Sequence, residues 1–250
     1  MENYRFVMFS EKQAFEILSP RLSLIVPTYN EAENIQEFIR RVETALGGIP
    51  FEIIIVDDNS PDGTAKLAKE LNREYGNIRV LQRRGKLGLG SAVFDGFKMA
   101  KSDVLAVLDA DLQHPPELLL KMYAKILQGY SLAIASRYVD GGGVKGWSSM
   151  RKIVSLGATK LAHLLIPKTR IVKDPMSGFF IVRKECIRDF KPSSNGFKIL
   201  LEILVKGKFS SIAEIPYIFQ PRLNGKSKLS IEENLRYLLL LAKTRLKLLK

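Results

Sequence analysis

The sequence predicts an α/β fold with a mostly parallel central sheet and helices on both faces. Three observations carry that prediction. Short apolar runs rich in branched residues recur through the first half, amphipathic helical patterns separate them, and acidic residues gather just after two of the runs. LSLIVP (Leu22–Pro27) is the first buried strand. Asn30 is expected to cap a helix from Glu31 to about Leu46, with Ala32, Ile35, Ile39, Val42 and Leu46 at helical spacing. FEIIIVDD (Phe51–Asp58) is the second strand, and SPDGT turns the chain into a helix ending near Gly76. IRVLQ (Ile78–Gln82), a helix over Gly88–Lys101, the strand DVLAVLDAD (Asp103–Asp111), a helix over Pro116–Leu127 and SLAIASR (Ser131–Arg137) complete the series.

The second half is less regular. A glycine-rich loop (Gly141–Gly143) precedes a helix from about Met150 to Leu165 and a hairpin-like FFIVR strand. A helix near Phe197–Lys206, the strand IAEIPYIF and a closing helix from Ser230 to Lys250 follow. No repeat or low-complexity linker divides the 250 residues, so residues 21–229 are expected to form one catalytic-sized domain. Residues 1–20 would be an extension and 230–250 an amphipathic tail.

Charge adds a second constraint. The 39 Lys and Arg residues exceed the 26 Asp and Glu residues, giving a formal charge of +13 that calls for an anionic partner. The surplus is local. Arg137–Lys184 carries ten basic residues against Asp140 and Asp174, and Arg222–Lys250 carries eight against Glu232 and Glu233. One cysteine (Cys186) and two histidines (His114, His163) exclude an internal disulfide and a Cys/His zinc site. No uninterrupted apolar run approaches the ~20 residues of a membrane span, and the N-terminus lacks a signal-peptide pattern. The chain is therefore expected to be intracellular and not to cross a membrane by itself.

Ligands of such sheets bind beyond the carboxyl ends of the strands. Asp57 and Asp58 end the second strand; Asp109 and Asp111 end the fourth. Residues two apart in an extended chain point to one side about 6.6 Å from each other. Asp109 and Asp111 can thus share a hard cation such as Mg²⁺ or Mn²⁺ with a diphosphate, although helix capping before PPEL would also use an acid here. Gly88-x-Gly90 lacks the third glycine of a dinucleotide fingerprint.

VPTYNE (Val26–Glu31), VDDNSPDGT (Val56–Thr64), GLGSA (Gly88–Ala92) and DADLQHPPE (Asp109–Glu117) follow one another as in inverting glycosyltransferases of family 2, which have the GT-A (Rossmann-like) nucleotide-diphospho-sugar transferase fold. SRY (Ser136–Tyr138), GGGVKGW (Gly141–Trp147), RK (Arg151–Lys152), DPMSGFF (Asp174–Phe180) and RLNGKSKL (Arg222–Leu229) narrow the resemblance to dolichol-phosphate (polyprenol-phosphate) mannosyltransferases.

The resemblance implies metal-dependent transfer of mannose from GDP-mannose to dolichyl or polyprenyl phosphate. A UDP-glucose or UDP-N-acetylhexosamine transferase to the same lipid is the alternative. It implies nucleotide-sugar contacts from Pro27, Tyr29, Glu31, Val56, Asp58, Asp109, Ala110, Asp111, Arg137, Arg222 and Lys228. Asp109, Asp111 and Gln113 would hold Mg²⁺ or Mn²⁺, and Arg137, Arg151 and Ser155 the acceptor phosphate. Asp111, Arg137, Arg151, Arg222 and Lys228 would carry the catalytic work. Asn59 departs from the small residue or further acid frequent in relatives, a change expected to bear on the base contact. Lys145, Lys160 and Lys173 are expected to be surface charges.

A lipid phosphate is largely a dianion near neutral pH, its second pKa lying at about 6, so no general base is required. In Leu235–Lys250, leucines share a helix with Arg236, Lys243, Arg245, Lys247 and Lys250, the pattern of an interfacial helix. The implied partners are a membrane surface on its cytoplasmic face, held peripherally, and a small membrane subunit. Nucleic acid is not expected, because neither basic stretch carries an aromatic platform or recognition helix.

Overall fold

The computed structural model describes residues 20–192, 198–221, 237–242 and 244–245. Seven strands form one sheet in the order β3-β2-β1-β4-β7-β5-β8. They are β1 (Leu22–Thr28), β2 (Phe51–Asp57), β3 (Ile78–Gln82), β4 (Val104–Val107), β5 (Leu132–Ser136), β7 (Phe180–Arg183) and β8 (Ile212–Pro216). β1 to β4 are mutually parallel, and β8 runs parallel to β5. β7 is antiparallel to both of its neighbours. FFIVR is thus no hairpin but an inserted strand joining the two parallel groups. The stretch IAEIPYIF breaks after Pro216, and β9 (Ile218–Phe219) pairs instead with β6 (Gly143–Val144).

The helices are α1 (Ala32–Leu46), α2 (Thr64–Tyr75), α3 (Leu89–Met99), α4 (Leu118–Leu127), α5 (Ser149–Leu165) and α6 (Ile199–Lys206). Strand alternation divides the core between two faces. Leu22, Leu24, Val26, Ile53 and Ile55 meet α1, α2 and α4 on one face. Ile25, Ile54, Val56, Leu105 and Val107 meet α3 and α6 on the other. Both faces are covered, as the continuous apolar strands predict. The expected GT-A-type sheet is present, and it continues through β8, well past the inserted strand.

Three backbone details matter for the site. Pro27 sits in a central strand because the β1–β4 ladder has already stopped at Ile25–Val107, so its missing N–H breaks no pairing on that side. Asn30 does not cap α1. Instead it is left-handed (φ 58°), and Glu31 occupies the cap position, its side chain making no capping bond to the helix amides. The capping groups come from the loop after β2: Asn30 N–H donates to Ser60 Oγ (3.0 Å), Glu31 N–H to Thr64 Oγ1 (3.0 Å) and Ala32 N–H to Asp62 Oδ2 (2.9 Å).

Of the tail, residues 237–242 and 244–245 are helical. Tyr237, Leu240 and Leu241 pack on Ala162, Ile166, Leu201 and Val205, and Tyr237 Oη donates to Ala158 O (2.7 Å). One face of this segment therefore belongs to the core, whereas Leu238 and Leu239 remain exposed.

Candidate active site

The carboxyl ends of β1, β2, β4 and β5 fall on one rim of the sheet, and the chain entering the antiparallel β7 starts from the same rim. Residues 28–31, 57–60, 108–114, 136–138 and 174–179 are brought together there. Sequence places the Asp109–Asp111 and Arg137 segments far apart; topology makes them neighbours.

Three non-glycine residues on this rim are left-handed: Asn30 (φ 58°), Asn59 (φ 57°) and Leu112 (φ 59°). Asn tolerates this conformation, and glycine does so better. Asn59 Oδ1 accepts from Gln82 Nε2 (3.3 Å), so its side chain ties β3 to the turn. Leu112 has no such excuse; it is a strained, buried residue held between Asp111 and Gln113.

β4 ends at Val107, so Asp109 and Asp111 do not end an extended strand but sit in the turn that follows it. They place two carboxylates, hard oxygen donors of the kind Mg²⁺ or Mn²⁺ takes, on this rim. Gly178 faces one of them: a Cβ built on it would lie 3.4 Å from Asp109 Oδ2, in ordinary van der Waals contact. Among the described residues no three His, Cys, Asp or Glu side chains converge, so the protein alone offers a pair rather than a cage. Asp111 Oδ1 accepts the Gln113 N–H (3.1 Å). The Gln113 amide donates to Gln220 O (3.2 Å), which fixes the loop to the segment after β9.

On the nucleotide side, the Val56 and Ala110 side chains lie within the core, so any ligand contact there falls to their backbone. Glu31 is buried and accepts from Asn34 Nδ2 (2.8 Å). Tyr29 is half-buried under the Lys86 ammonium, 4.3 Å from its ring centroid. Asp58 is buried in an ion pair. One oxygen accepts from Arg83 Nε (2.7 Å) and the other from Gly88 N–H (3.0 Å). The same guanidinium reaches Ser91 Oγ (2.8 Å) and Gly88 O (3.3 Å). Arg83, which no sequence signal beyond its place before GKLGLG marks, thereby joins β2 to the start of α3. Asp57 is structural: it accepts from Thr28 Oγ1, Ser60 N–H and Ser60 Oγ.

The basic residues divide. Arg137 was expected to grip phosphate, but its charge is already matched. Its Nε and Nη2 donate to the two Asp174 oxygens (2.8 and 2.7 Å), and its backbone N–H adds a third bond (3.0 Å). Asp174 is fully buried. Burial would depress the Arg137 pKa; the bonds and charge of Asp174 outweigh that and raise it. Arg151 differs. No carboxylate among the described residues pairs with it, and its Nε is buried without a partner. Burial, followed by repulsion from Arg137, lowers its pKa. Its guanidinium lies 4.2 Å from the centroid of Trp147. Ser155, one helical turn on, shares a 2.7 Å hydrogen bond with Tyr138 Oη. Arg222 and Lys228 lie outside the described residues. Lys145, Lys160 and Lys173 are exposed, as expected.

His114 was expected only to exclude zinc, yet it sits at the centre of the rim. Phe179, Tyr217 and Phe219 enclose it at centroid distances of 5.7, 5.6 and 5.2 Å. Burial pushes its pKa down to about 4, against the attraction of Asp111. The imidazole is a neutral packing piece that joins the Asp109–Gln113 loop to the start of β7 and to β8–β9.

Residues 23–190 match the model of glycosyl transferase family 2. Over 226 residues the chain is 47% identical to a dolichol-phosphate mannosyltransferase of Pyrococcus furiosus, a match covering 89% of this chain and 64% of the relative. Over 233 residues it is 37% identical to the dolichol-phosphate mannosyltransferase of Saccharomyces cerevisiae, covering 88% of this chain and 85% of the relative. Among solved structures, glucosyl-3-phosphoglycerate synthase of Mycobacterium tuberculosis, in complex with Mn²⁺, UDP and glucosyl-3-phosphoglycerate, superposes with a TM-score of 0.65. That match covers 98% of this chain and 86% of the other at 18% identity, and it shows the shared fold. The rim geometry, the shared sheet and the extent of these matches together establish that the chain belongs to glycosyl transferase family 2, in the group that includes the dolichol-phosphate mannosyltransferases.

Proposed function

We propose that the protein transfers mannose from GDP-mannose to dolichyl (polyprenyl) phosphate with inversion, giving dolichyl β-D-mannosyl phosphate. The names of the relatives support mannose and the lipid phosphate. The observation that carries the proposal is the pairing of two unlike anion positions on one rim. Asp109 and Asp111 mark a place for a cation-bound diphosphate, and Arg151, without a carboxylate partner among the described residues, marks a place for a second phosphate.

In this scheme Pro27, Tyr29, Glu31, Val56 and Asp58 form the nucleotide end, with Arg83 and Gly88 holding the Asp58 carboxylate in place. Asp109 and Asp111, with Gln113 beside them, would hold Mg²⁺ or Mn²⁺, and the bound ion would neutralise charge growing on the departing diphosphate. Arg222 and Lys228, outside the described residues, would add positive charge to the diphosphate in this scheme. Arg151 and Ser155 hold the acceptor phosphate in line with the anomeric carbon. One phosphate oxygen forms the new bond to that carbon as its bond to the nucleoside diphosphate breaks. The attacking oxygen belongs to a dianion and gives up no proton, so the enclosed His114 is not needed as a base.

Residues 21–229 form the catalytic unit in this proposal, with residues 1–20 preceding it. No helix among the described residues is long and apolar enough to cross a membrane. The membrane surface is instead met by α5 and the tail. Met150, Ile153, Val154 and Leu164 of α5 are exposed, as are Leu238 and Leu239, with Lys152, Lys160 and Arg170 nearby in sequence. Each basic residue near an anionic cytoplasmic leaflet adds about 1 kcal/mol. A small membrane subunit would cover the same apolar residues.

The test is a donor panel with a short polyprenyl phosphate, with and without Mn²⁺. Turnover with GDP-mannose is expected; turnover with UDP-glucose or UDP-N-acetylhexosamine alone would overturn the donor. Asp111→Asn is expected to stay folded and lose metal-dependent transfer. Full activity in that variant would overturn the metal assignment.

A further inference from the structure

We propose that Trp147 is a positioning residue for the acceptor phosphate, its indole face holding the Arg151 guanidinium where it receives the anion. The inference rests on the transfer proposed above and deepens its acceptor half.

Three observations converge. The Arg151 guanidinium carbon lies 4.2 Å from the Trp147 centroid, the packing distance of a cation over an indole face. The ring itself is anchored: it packs against the main core and meets Phe219 edge-on, with centroids 5.5 Å apart and planes at 70°. A long, flexible arginine is thereby ordered before any ligand arrives, which removes a cost otherwise met on binding.

The second observation concerns hydrogen bonds. Arg151 Nε and Trp147 Nε1 are both buried, and neither has a partner among the described residues. Two adjacent donors without acceptors are unusual in a native protein, and an oxygen-rich anion explains them.

The third is repulsion. Arg137 also approaches Trp147, at 5.8 Å, and its charge disfavours that of Arg151. Asp174 answers Arg137 alone. A phosphomonoester dianion would answer Arg151 and relieve the pair, whereas an alcohol would not.

Trp147 is the only tryptophan of the chain, so its emission reports this site without reference to turnover. The wild-type protein is titrated with a short-chain polyprenyl phosphate, with the matching polyprenol and with inorganic phosphate. A saturable emission change is expected with the lipid phosphate, none with the alcohol, and none in Arg151→Ala. A response to inorganic phosphate also supports the proposal, because the phosphomonoester is what is recognised.

In steady-state assays Trp147→Leu is expected to raise the acceptor KM about tenfold while the donor KM stays within about twofold. Trp147→Phe keeps a stacking face and is expected to cost about threefold. Adding Arg151→Ala to Trp147→Leu should cost less than the product of the single effects. An emission unmoved by lipid phosphate, or equal rises in both KM values, would overturn the proposal. Should Trp147→Leu fail to fold, the wild-type titration and Trp147→Phe decide. If emission responds but no sugar is transferred, the proposed reaction fails and this site stands. If transfer proceeds with silent emission, this site alone fails.

Discussion

Asp174→Ala removes the counter-charge of a guanidinium that has nowhere else to go. Three hydrogen bonds of 3.0, 2.8 and 2.7 Å disappear. The Arg137 side chain they leave behind is 10% exposed. Deleting one partner of a buried ion pair costs about 3–5 kcal/mol, much of it the penalty of the orphaned charge. A chain of this size loses roughly 2–4 °C per kcal/mol, so a fall on the order of 10 °C in melting temperature is expected. Replacing both partners, as Arg137→Met with Asp174→Leu, should recover most of that loss, because no charge is then buried alone. Urea unfolding followed by circular dichroism at pH 7 gives the midpoints, and an unchanged slope shows that the denatured state is not the source. If Asp174→Ala loses less than about 1 kcal/mol, or the double variant is no better than the single one, the pair does not hold this rim together.

Two further outcomes follow from buried groups on the same rim. His114 is held neutral, with a pKa of about 4 against 6.5 when free, so the unfolded chain takes up its proton first as pH falls. The stabilisation is complete above pH 6.5 and is lost progressively toward pH 4, on the order of 3 kcal/mol in all. His114→Phe should flatten this part of the profile in urea midpoints measured between pH 7.5 and 4.5, and an unaltered slope would contradict the assignment. Gly142→Ala would place a Cβ 2.7 Å from Ser136 O and 2.9 Å from Arg137 C. Backbone cannot yield there as a side chain would, so a loss of about 2 kcal/mol or more is expected, and thermal melting that matches wild type would refute it.

Much of the scaffold was legible because both faces of the sheet are covered. Ile78–Gln82 begins and ends where its apolar run does, and α5 differs from expectation by one residue. The position of β7 was not legible. FFIVR is apolar throughout, and an apolar strand carries no mark of which neighbours it pairs with or in which direction. For the same reason nothing local shows that Val56 faces α3 rather than the ligand. Asn30 misled because the rule for a helix cap looks to the residue beside the helix, whereas Ser60, Asp62 and Thr64 cap α1 from 30 to 33 positions away. The acidic pair was readable from its place after a strand. The engagement of Arg137 by Asp174 was not, since 37 residues separate them. Trp147 was present in a recognised segment and Arg83 in none, and the use of both depends on what the fold lays against them.

The carboxylates seated at helix starts change how a polyanion must be received. In many nucleotide-binding sheets the first helix after β1 offers its bare amides to a phosphate. Here Asp62 occupies that end of α1, and Asp58 takes the amide that opens α3. Main-chain dipoles on this rim are thus already spent on internal ligands. In the proposed reaction a diphosphate arriving there would be met by side-chain cations and a divalent ion, both of which respond to ionic strength and metal supply. Donor capture by such a rim is tuned by its surroundings rather than wired into the backbone.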